Sequence, residues 1–475
     1  MKLIQITKIT FLSLFLFIKC TVGPDYQKVV TDRPEFFKET KNSSWKIAEP
    51  KDDIFKGKWW EVYNDPFLNE LEEQIDTSNH NILASIAQME QAQALLGQSK
   101  AGYFPTIGAN TGITRQRQGS SYTQNPTETT NYSVNLNATW IPDLWGSIRR
   151  SVEANEAAFQ ANQAQVENIK LSIHSSLAQY YFQLRTADKN QSILNEIAEC
   201  AKKQLDMIHK SNELGIASTV DVQKIESQYE LSKLNAEDNL IIREQYEHAI
   251  AILLGKAPAE FSLEAKDTNI QIPNLPIILS SELLERRPDI AQAERLVAQA
   301  NAQIGIAKAA YFPNLNLSAN GGYSSNDINN LFTLPALIWS VGASLAETIF
   351  DAGARQDKVN AAEANYRSLV NQYKQTVLQA LQNVEDNLST YNHLKSEELY
   401  QFNSLNRIET IYNLSNEQLE QGIINSIDLL NAKINLQNSK KTMNDLINKR
   451  VLNSINLIAS LGGGVEARFK EIIRL

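Results

Sequence analysis

The 475-residue chain has few cysteines and histidines and lacks the common catalytic and metal-binding motifs. It contains only two cysteines, Cys20 and Cys200, so a disulfide framework is excluded. Its five histidines are scattered, and the sequence holds no His-Glu-x-x-His motif, paired-cysteine metal motif, Gly-x-Ser-x-Gly elbow or phosphate-binding loop. We therefore predict no enzymatic activity, no catalytic residue, no metal site and no cofactor, and we expect the histidines on solvated helix faces.

Basic clusters and long apolar runs are also missing. The formal net charge is −9 and no stretch is rich in Lys and Arg, which argues against nucleic acid as a partner. Glycine (19) and proline (13) are sparse, and this composition favours long helices. After the N-terminus, no run approaches the ~18 apolar residues of a membrane helix, so only strands or a lipid could hold the chain in a membrane.

The N-terminal segment is typical of an exported protein. Residues 1–19 predict a signal peptide, because Lys2 and Lys8 precede an apolar run too short for a stop-transfer helix. Cys20 follows where such a peptide is cut, and we predict that it carries a lipid. Residues 20–58 are polar and contain three prolines, which indicates an extended, lipid-anchored arm. Cys200 falls in a helical pattern and is predicted to be a buried structural thiol.

A switch from helical to strand periodicity occurs twice in the chain. The helical pattern of residues 284–310 stops at Tyr311-Phe312-Pro313, and strict alternation follows. Other features recur at a shift of 207 or 208 residues: Tyr103 and Tyr311, Gly146 and Gly353, Gly215 and Gly422, Asp221 and Asp428. This constant shift predicts one structural unit used twice.

We predict two tandem repeats, at 59–255 and 281–464, joined by a linker at 256–280 and followed by a tail at 465–475. Each repeat comprises a helix, two strands and a long helical hairpin, so the fold class is mainly α with a small β contribution. The strands are expected at about 106–114 and 131–141, and at about 314–323 and 338–347. Their length of ~10 residues and the aromatic residues near their ends favour a membrane barrel over a soluble sandwich.

Four such strands cannot close a barrel, and an open edge cannot persist in lipid. A homotrimer would share twelve strands and leave a polar lumen. The long helices would continue this barrel as an α-helical tunnel. The predicted function of that architecture is a passive conduit.

Several motifs also resemble one family. Cys20-Thr-Val-Gly-Pro-Asp-Tyr26, Trp59-Trp60 with Asp65-Pro66, Arg286-Arg-Pro-Asp-Ile290 and the two Tyr-Phe-Pro turns resemble the TolC-like outer-membrane factors. The segment that starts at Cys20 is similar to the OprM/NodT-type lipoprotein branch. This resemblance implies a trimeric α-helical tunnel and a shared 12-stranded β-barrel in the outer membrane of a Gram-negative bacterium. It further implies a tripartite efflux system with a periplasmic adaptor and an inner-membrane pump, usually of the resistance-nodulation-division (RND) class.

The resemblance places the periplasmic entrance at the turns between the paired long helices. The family's Leu-Asp-x-Leu-Asp pattern aligns with residues 427–431, so the gate candidates are Ile427, Asp428 and Asn431, with Asn431 replacing the second aspartate. A ring of Asp428 carboxylates would attract cations. Asp428 could instead only cap its helix. The equivalent tip is marked by Gly215, Asp221 and Gly422, and a cap is the favoured role of Asp221.

Two other functions fit part of the sequence. A type I protein-secretion exit channel would share the whole architecture, because the lumen is a generic polar surface. A soluble periplasmic coiled-coil scaffold lipoprotein would explain the long helices, but it leaves the four alternating segments without a purpose.

Overall fold

The computed structural model describes residues 21–30, 38, 57–119, 127–266, 272–273 and 287–463. The predicted signal peptide, Cys20, Arg286 and the tail at 465–475 lie outside these ranges. The same holds for most of the arm beyond residue 30 and for residues 267–271 and 274–280 of the predicted linker.

Apart from the first helix, the helices and strands of the described ranges follow one another in the same order in both halves of the chain. They are α1 (Pro66–Ser78), α2 (His80–Ala101), β1 (Thr106–Gln118), β2 (Thr127–Trp140), α3 (Ser147–Glu213), α4 (Thr219–Leu253), α5 (Pro288–Ala309), β3 (Asn314–Ser325), β4 (Leu337–Ala346), α6 (Ala354–Glu420) and α7 (Ser426–Ser460). Helices α3 and α6 each have 67 residues, and α4 and α7 each have 35. At 1.5 Å per residue these helices are about 100 and 50 Å long.

Proline marks several of these element boundaries. Asp65 caps α1, accepting hydrogen bonds from the backbone N–H of Phe67 at 3.0 Å and of Leu68 at 3.2 Å, with Pro66 in the first turn. Pro288 is the first residue of α5, which agrees with a structural role for the adjoining charges. The Arg287 guanidinium pairs with Asp289 at 2.8 Å and donates to the Ser460 carbonyl at 2.8 Å.

The four strands form one antiparallel sheet in the order β1-β2-β3-β4. The two hairpins have the same register. Thr106 pairs with Thr139, and their repeat equivalents at shifts of 208 and 207, Asn314 and Ala346, also pair. The repeat that was inferred from the constant shift between equivalent residues is therefore also present in the strand pairing.

The strand boundaries differ from the expected ones mainly at the loop ends. Strand β1 continues to Gln118 and β2 begins at Thr127, so the hairpin extends past the apolar alternation. Backbone pairing does not need apolar side chains, and Arg115 and Glu128 form an ion pair at 2.9 Å across this extension. Strand β2 ends at Trp140 because Ile141 precedes Pro142 and the ladder stops there.

One face of the sheet carries most of the apolar side chains of the four strands. The pairing aligns Ile107 with Ala138, Ala138 with Ala319, and Leu315 with Leu345. Several of these side chains are strongly exposed, among them Ile107 (71%), Val341 (77%) and Leu345 (66%). Within the described ranges, no helix is both long enough and apolar enough to cross a bilayer.

The chain divides into two compact units. The first comprises Met1–Val30, Gln88–Gln163 and Gln292–Lys374, which include the sheet and the adjoining helix ends. The second comprises Thr31–Ala87, Ala164–Ala291 and Gln375–Leu475. The core of the second unit contains side chains that are almost completely buried: Trp59, Leu68, Ile75, Leu177, Leu184, Ile250, Ile455 and Ile458.

In the first unit, residues 21–26 of the arm lie against the start of α3 and against α5. The Arg150 guanidinium donates to the Gly23 carbonyl at 3.3 Å and pairs with Asp25 at 2.7 Å. The backbone comes very close at a glycine contact, because a Cβ on Gly23 would lie 2.5 Å from the Cα of Gly305. The Asn301 side-chain amide donates to the Pro24 carbonyl at 3.0 Å. These contacts fix residues 21–26 of the arm against α3 and α5.

One expectation about histidine is wrong. His174 is buried, not solvated: its Nδ1 lies 2.7 Å from Glu72 Oε2, and its ring stacks on Trp60 at 4.6 Å. Burial would lower the pKa of His174, but hydrogen bonds to Asp76 and Glu72 outweigh it and raise this pKa to about 9. Burial also raises the pKa of Glu72 to about 7. No local motif indicates this pair, because its members are 102 residues apart in the sequence.

Candidate functional site: the tips of the helical hairpins

The first tip is the turn between α3 and α4. Gly215 has a φ of +71°, and the Ile216 N–H donates to the Ser211 carbonyl at 2.8 Å, which closes the end of α3 as a Schellman motif. Ser218 then starts α4 through a capping box with Asp221. Hydrogen bonds from the side chain and the backbone of Ser218 lower the pKa of Asp221. This aspartate is an exposed helix cap.

The second tip, between α6 and α7, repeats this geometry. Gly422 has a φ of +73°, and the Ile423 N–H donates to the Gln418 carbonyl at 2.9 Å. Asn425 begins α7 through a capping box with Asp428, whose backbone N–H donates to Asn425 Oδ1 at 2.9 Å. The carboxylate of Asp428 is exposed. The side chain of Asp428 therefore takes part in the helix cap and also exposes its charge to solvent.

A buried amide of α3 connects the two hairpins near the second tip. Gln204 is 1% exposed, and its Nε2 donates to Asn431 Oδ1 at 2.8 Å and to the Ile427 carbonyl at 3.3 Å. Two gate candidates are thus brought together by a residue that the sequence did not single out. The repeat could not have indicated Gln204, because its equivalent at a shift of 207 is the apolar Ile411.

Further up the hairpins, apolar side chains from both repeats pack together. Ile193, Leu194, Ile197 and Ala236 form a buried cluster, and Ile434 of α7 packs against it. Cys200 is buried in this stretch of α3, and burial raises the pKa of its thiol. A thiol held in the protonated form is unreactive, as a structural role requires.

The two tips differ in the apolar surface that they expose. At the first tip, the exposed fractions are 74% for Leu214, 79% for Ile216 and 75% for Val220. At the second tip, Ile423 remains exposed, but Gln421 stands at the position of Leu214. Ile427, the equivalent of Val220, is less exposed: it is half-buried, and its backbone carbonyl accepts a hydrogen bond from Gln204. The first tip thus presents the larger apolar surface.

These features define a class of protein. A duplicated strand hairpin with an exposed apolar face is suited to a membrane β-barrel, and helices of about 100 Å exceed the dimensions of an ordinary globular domain. The chain belongs to the outer membrane efflux protein family, whose model matches residues 71–256 and 279–463.

Individual relatives match over nearly the whole chain. The chain is 25% identical over 460 residues to the toluene efflux pump outer membrane protein TtgC of Pseudomonas putida. The aligned residues make up 95% of this chain and 94% of TtgC. It is 25% identical over 456 residues to the probable outer membrane lipoprotein SilC of Salmonella typhimurium (95% and 97%) and 24% identical over 449 residues to the cation efflux system protein CusC of Escherichia coli (94% and 96%).

Solved structures give the same fold. The CmeC outer membrane channel of Campylobacter jejuni matches with a TM-score of 0.84 at 23% identity, covering 96% of this chain and 98% of that chain. The chain is therefore an efflux protein of the outer membrane, and it shares its fold with this solved structure.

Proposed function

We propose that three copies of this chain form the exit duct of a tripartite efflux system. Twelve strands would close into a barrel in the outer membrane, and the helical hairpins would line a periplasmic tunnel. Transport through this duct is passive, and the energy comes from the inner-membrane pump.

The sheet carries this proposal. Its exposed apolar face is suited to lipid, whereas the opposite face bears polar residues such as Asn110, Asn137 and Asn320. A four-stranded sheet alone would leave two unpaired edges in the bilayer, which is prohibitively costly. Sharing the sheet among three copies removes these edges and surrounds a polar lumen.

We assign the tips of the hairpins to the periplasmic adaptor. The exposed Leu214, Ile216 and Val220 form an apolar surface that a partner would cover. Near the axis, Asp428 of each copy would contribute one carboxylate to a cation-attracting ring, and Asn431 would leave that ring with a single layer of charge. Its capping bond does not prevent this role, because the carboxylate is exposed.

We assign the choice of substrate to the pump, which by family resemblance belongs to the RND class. Relatives named for toluene efflux and for cation efflux match this chain equally well, so the duct itself supplies little selectivity.

We also propose that Cys20 carries the lipid anchor. The arm that follows it is held from Thr21 onward, and one relative is named a probable outer membrane lipoprotein. Mass spectrometry of the N-terminal peptide should find an acylated cysteine. An unmodified Cys20, or an intact leader before it, would contradict this assignment.

The function is tested by fractionating cells that express the full chain and by reconstituting the purified protein. We expect oligomers in the outer membrane that dissociate only on heating, stable single-channel conductance in planar bilayers, and copurification of an adaptor and an RND pump. Release by a salt wash as a monomer would contradict the duct. Copurification of a protein-secretion ATPase would instead indicate that the chain is the exit channel of a type I secretion system.

A further inference from the structure

The four strands carry very few charged side chains. Among all the residues of β1, β2, β3 and β4, only Arg115, Arg117 and Glu128 are charged. They lie at the end of the first hairpin that is remote from the helices, since β1 begins just after α2 and β2 ends just before α3. The charge of the whole sheet is therefore concentrated at one end of one hairpin.

These three charges also lie on the apolar face of the sheet. Side chains alternate between the two faces of a strand, so Arg115 and Arg117 share the face of Ile113, which is 70% exposed. Glu128 is paired directly with Arg117 in the ladder and shares this face as well. Charges that end a lipid-facing apolar surface lie where the hydrocarbon of a bilayer gives way to the head groups.

The second hairpin gives independent support for the depth of this position. The equivalent of Arg115 at the shift of 208 is Tyr323, whose ring meets that of Phe332 edge to face, with 5.5 Å between the ring centroids. Phe332 is 71% exposed and belongs to the loop between β3 and β4. Aromatic side chains concentrate at the membrane–water interfaces of a barrel. The repeat therefore indicates that Arg115 lies at such an interface.

The ion pairs leave this cluster with an excess of positive charge. Glu128 Oε2 lies 2.9 Å from Arg115 Nη2, and Glu128 Oε1 lies 4.0 Å from Arg117 Nη1, so one carboxylate serves two guanidinium groups. The side chains of Arg115 and Arg117 are 74% and 66% exposed, and exposed ion pairs of this kind are weak. A guanidinium group presents several N–H donors in one plane, which suits the oxygens of a phosphate group.

We propose that Arg115 and Arg117 bind the phosphate groups of a phosphorylated lipid in the outer leaflet of the membrane. The helices extend from the opposite end of the strands into the proposed periplasmic tunnel, so this end of the hairpin faces outward. The acyl chains of the lipid lie along the apolar face beside Ile113, and its phosphates meet the two guanidinium groups. This inference rests on the proposed barrel and specifies the lipid chemistry that its outer rim recognises.

Retention of lipid by the purified full-length protein tests this site. The protein in detergent is mixed with diphosphoryl lipid A or with monophosphoryl lipid A, which has the same type of acylated disaccharide but one phosphate fewer. Native mass spectrometry then counts the bound lipid. We expect the wild-type chain to retain several times more of the diphosphoryl form, because each additional phosphate can form charge-assisted hydrogen bonds with a guanidinium group.

Three variants separate phosphate binding from a structural ion pair. Arg115→Gln combined with Arg117→Gln should reduce retention of diphosphoryl lipid A at least about fivefold, because both charge-assisted contacts are lost. Glu128→Gln should increase retention, because it removes the competing carboxylate, whereas a merely structural ion pair predicts no gain. Lys202→Gln combined with Lys210→Gln is the matched control: it removes two exposed charges from α3 and should retain lipid like wild type.

Equal retention of the two lipids by wild type, or unchanged retention in the arginine double variant, would overturn the proposal. An equal loss in the lysine control would do so too, because it would show non-specific attraction by charge. Displacement of the lipid by an equal concentration of inorganic phosphate would show a site for free anions and would overturn the assignment to lipid. A wild-type chain without conductance in planar bilayers would instead count against the proposed duct, since lipid retention is measured without a channel.

Discussion

The side-chain amide of Gln204 donates to Asn431 at 2.8 Å and so joins the first helical hairpin to the second. The acceptor is exposed while the donor is 1% exposed. The bond is therefore placed at the boundary between the packed hairpins and the tip, where it restrains the start of α7.

Replacing Gln204 by Leu should loosen the second tip with little effect on the stability of the fold. Leu has a similar size and remains buried, while Asn431 is exposed and can bind water instead, so the lost hydrogen bond costs about 1 kcal/mol. We expect more frequent and longer openings in single-channel recordings. Asn431→Asp is the matched variant, because the amide can still donate to a carboxylate. Identical open probability in Gln204→Leu and wild type would show that this bond does not restrain the tip.

Neutralising Asp428 should weaken the block of conductance by divalent cations. In the proposed gate, three copies would lose three carboxylates, and both the attraction and the binding of cations depend on that charge. Recordings on Asp428→Asn in planar bilayers, with increasing divalent cation on the periplasmic side, measure the effect.

Asp221→Asn is the control for this experiment. Both aspartates close a capping box of the same geometry, so each substitution weakens a helix start by a similar amount, about 1 kcal/mol or less. Only a gate role distinguishes them. Equal effects of the two substitutions on the block would reduce Asp428 to a helix cap.

Raising the pH should destabilise the second unit through His174 and Glu72. The pKa of His174 is about 9 in the fold against about 6.5 in the unfolded chain, so its contribution is complete below pH 6.5 and lost as the pH rises through 9. The raised pKa of Glu72 acts in the same direction between about 4.5 and 7. The histidine contribution amounts to at most about 3 kcal/mol.

Thermal unfolding followed by circular dichroism at pH 5.5 and 9.5 measures this dependence. The midpoint should fall at the higher pH in wild type, and the fall should be smaller in His174→Gln. His393→Gln, at an exposed histidine, should behave like wild type. A His174→Gln variant with the full wild-type pH dependence would contradict the assignment.

Enlarging Gly305 should release the arm. A Cβ at this position would lie 2.8 Å from the Arg150 side chain, and the Cα of Gly305 already meets Gly23. We expect Gly305→Val to expose residues 21–30 to proteolysis and to faster hydrogen exchange. The repeat equivalent, Gly97, also lies in a helix but has nothing within 4 Å of its Cβ position, so Gly97→Val should leave the arm protected. Equal protection in both variants would show that the glycine contact does not seat the arm.

The sequence predicted the repeat and the long helices because both depend on local signals. Proline stops, glycine turns and N-caps recur at a fixed shift, and the helices that they delimit have 67 and 35 residues in both repeats. Strand ends were less accurate, because pairing in the polar extension from Arg115 onward leaves no apolar alternation to detect.

Tertiary partners could not be predicted in this way. Gln204 and Asn431 are 227 residues apart, and neither belongs to a local motif that indicates the other. The buried His174 was missed for the same reason, since a histidine on a helix is compatible with water or with a carboxylate from another helix. Such pairs depend on which helix faces come together, and periodicity alone does not specify that.

The seat of the arm has a consequence for membrane depth. Thr21 packs against Gly146, whose Cβ would lie 2.7 Å from the threonine methyl, and the Val22 N–H donates to the Trp145 carbonyl at 3.0 Å. Consecutive Cα atoms are about 3.8 Å apart, so an acyl chain on the preceding residue would be attached close to this fixed point. Such a lipid would not be a flexible tether. It would restrain the depth of the strands in the bilayer, so that the surrounding lipid adapts to any mismatch between the bilayer thickness and the sheet.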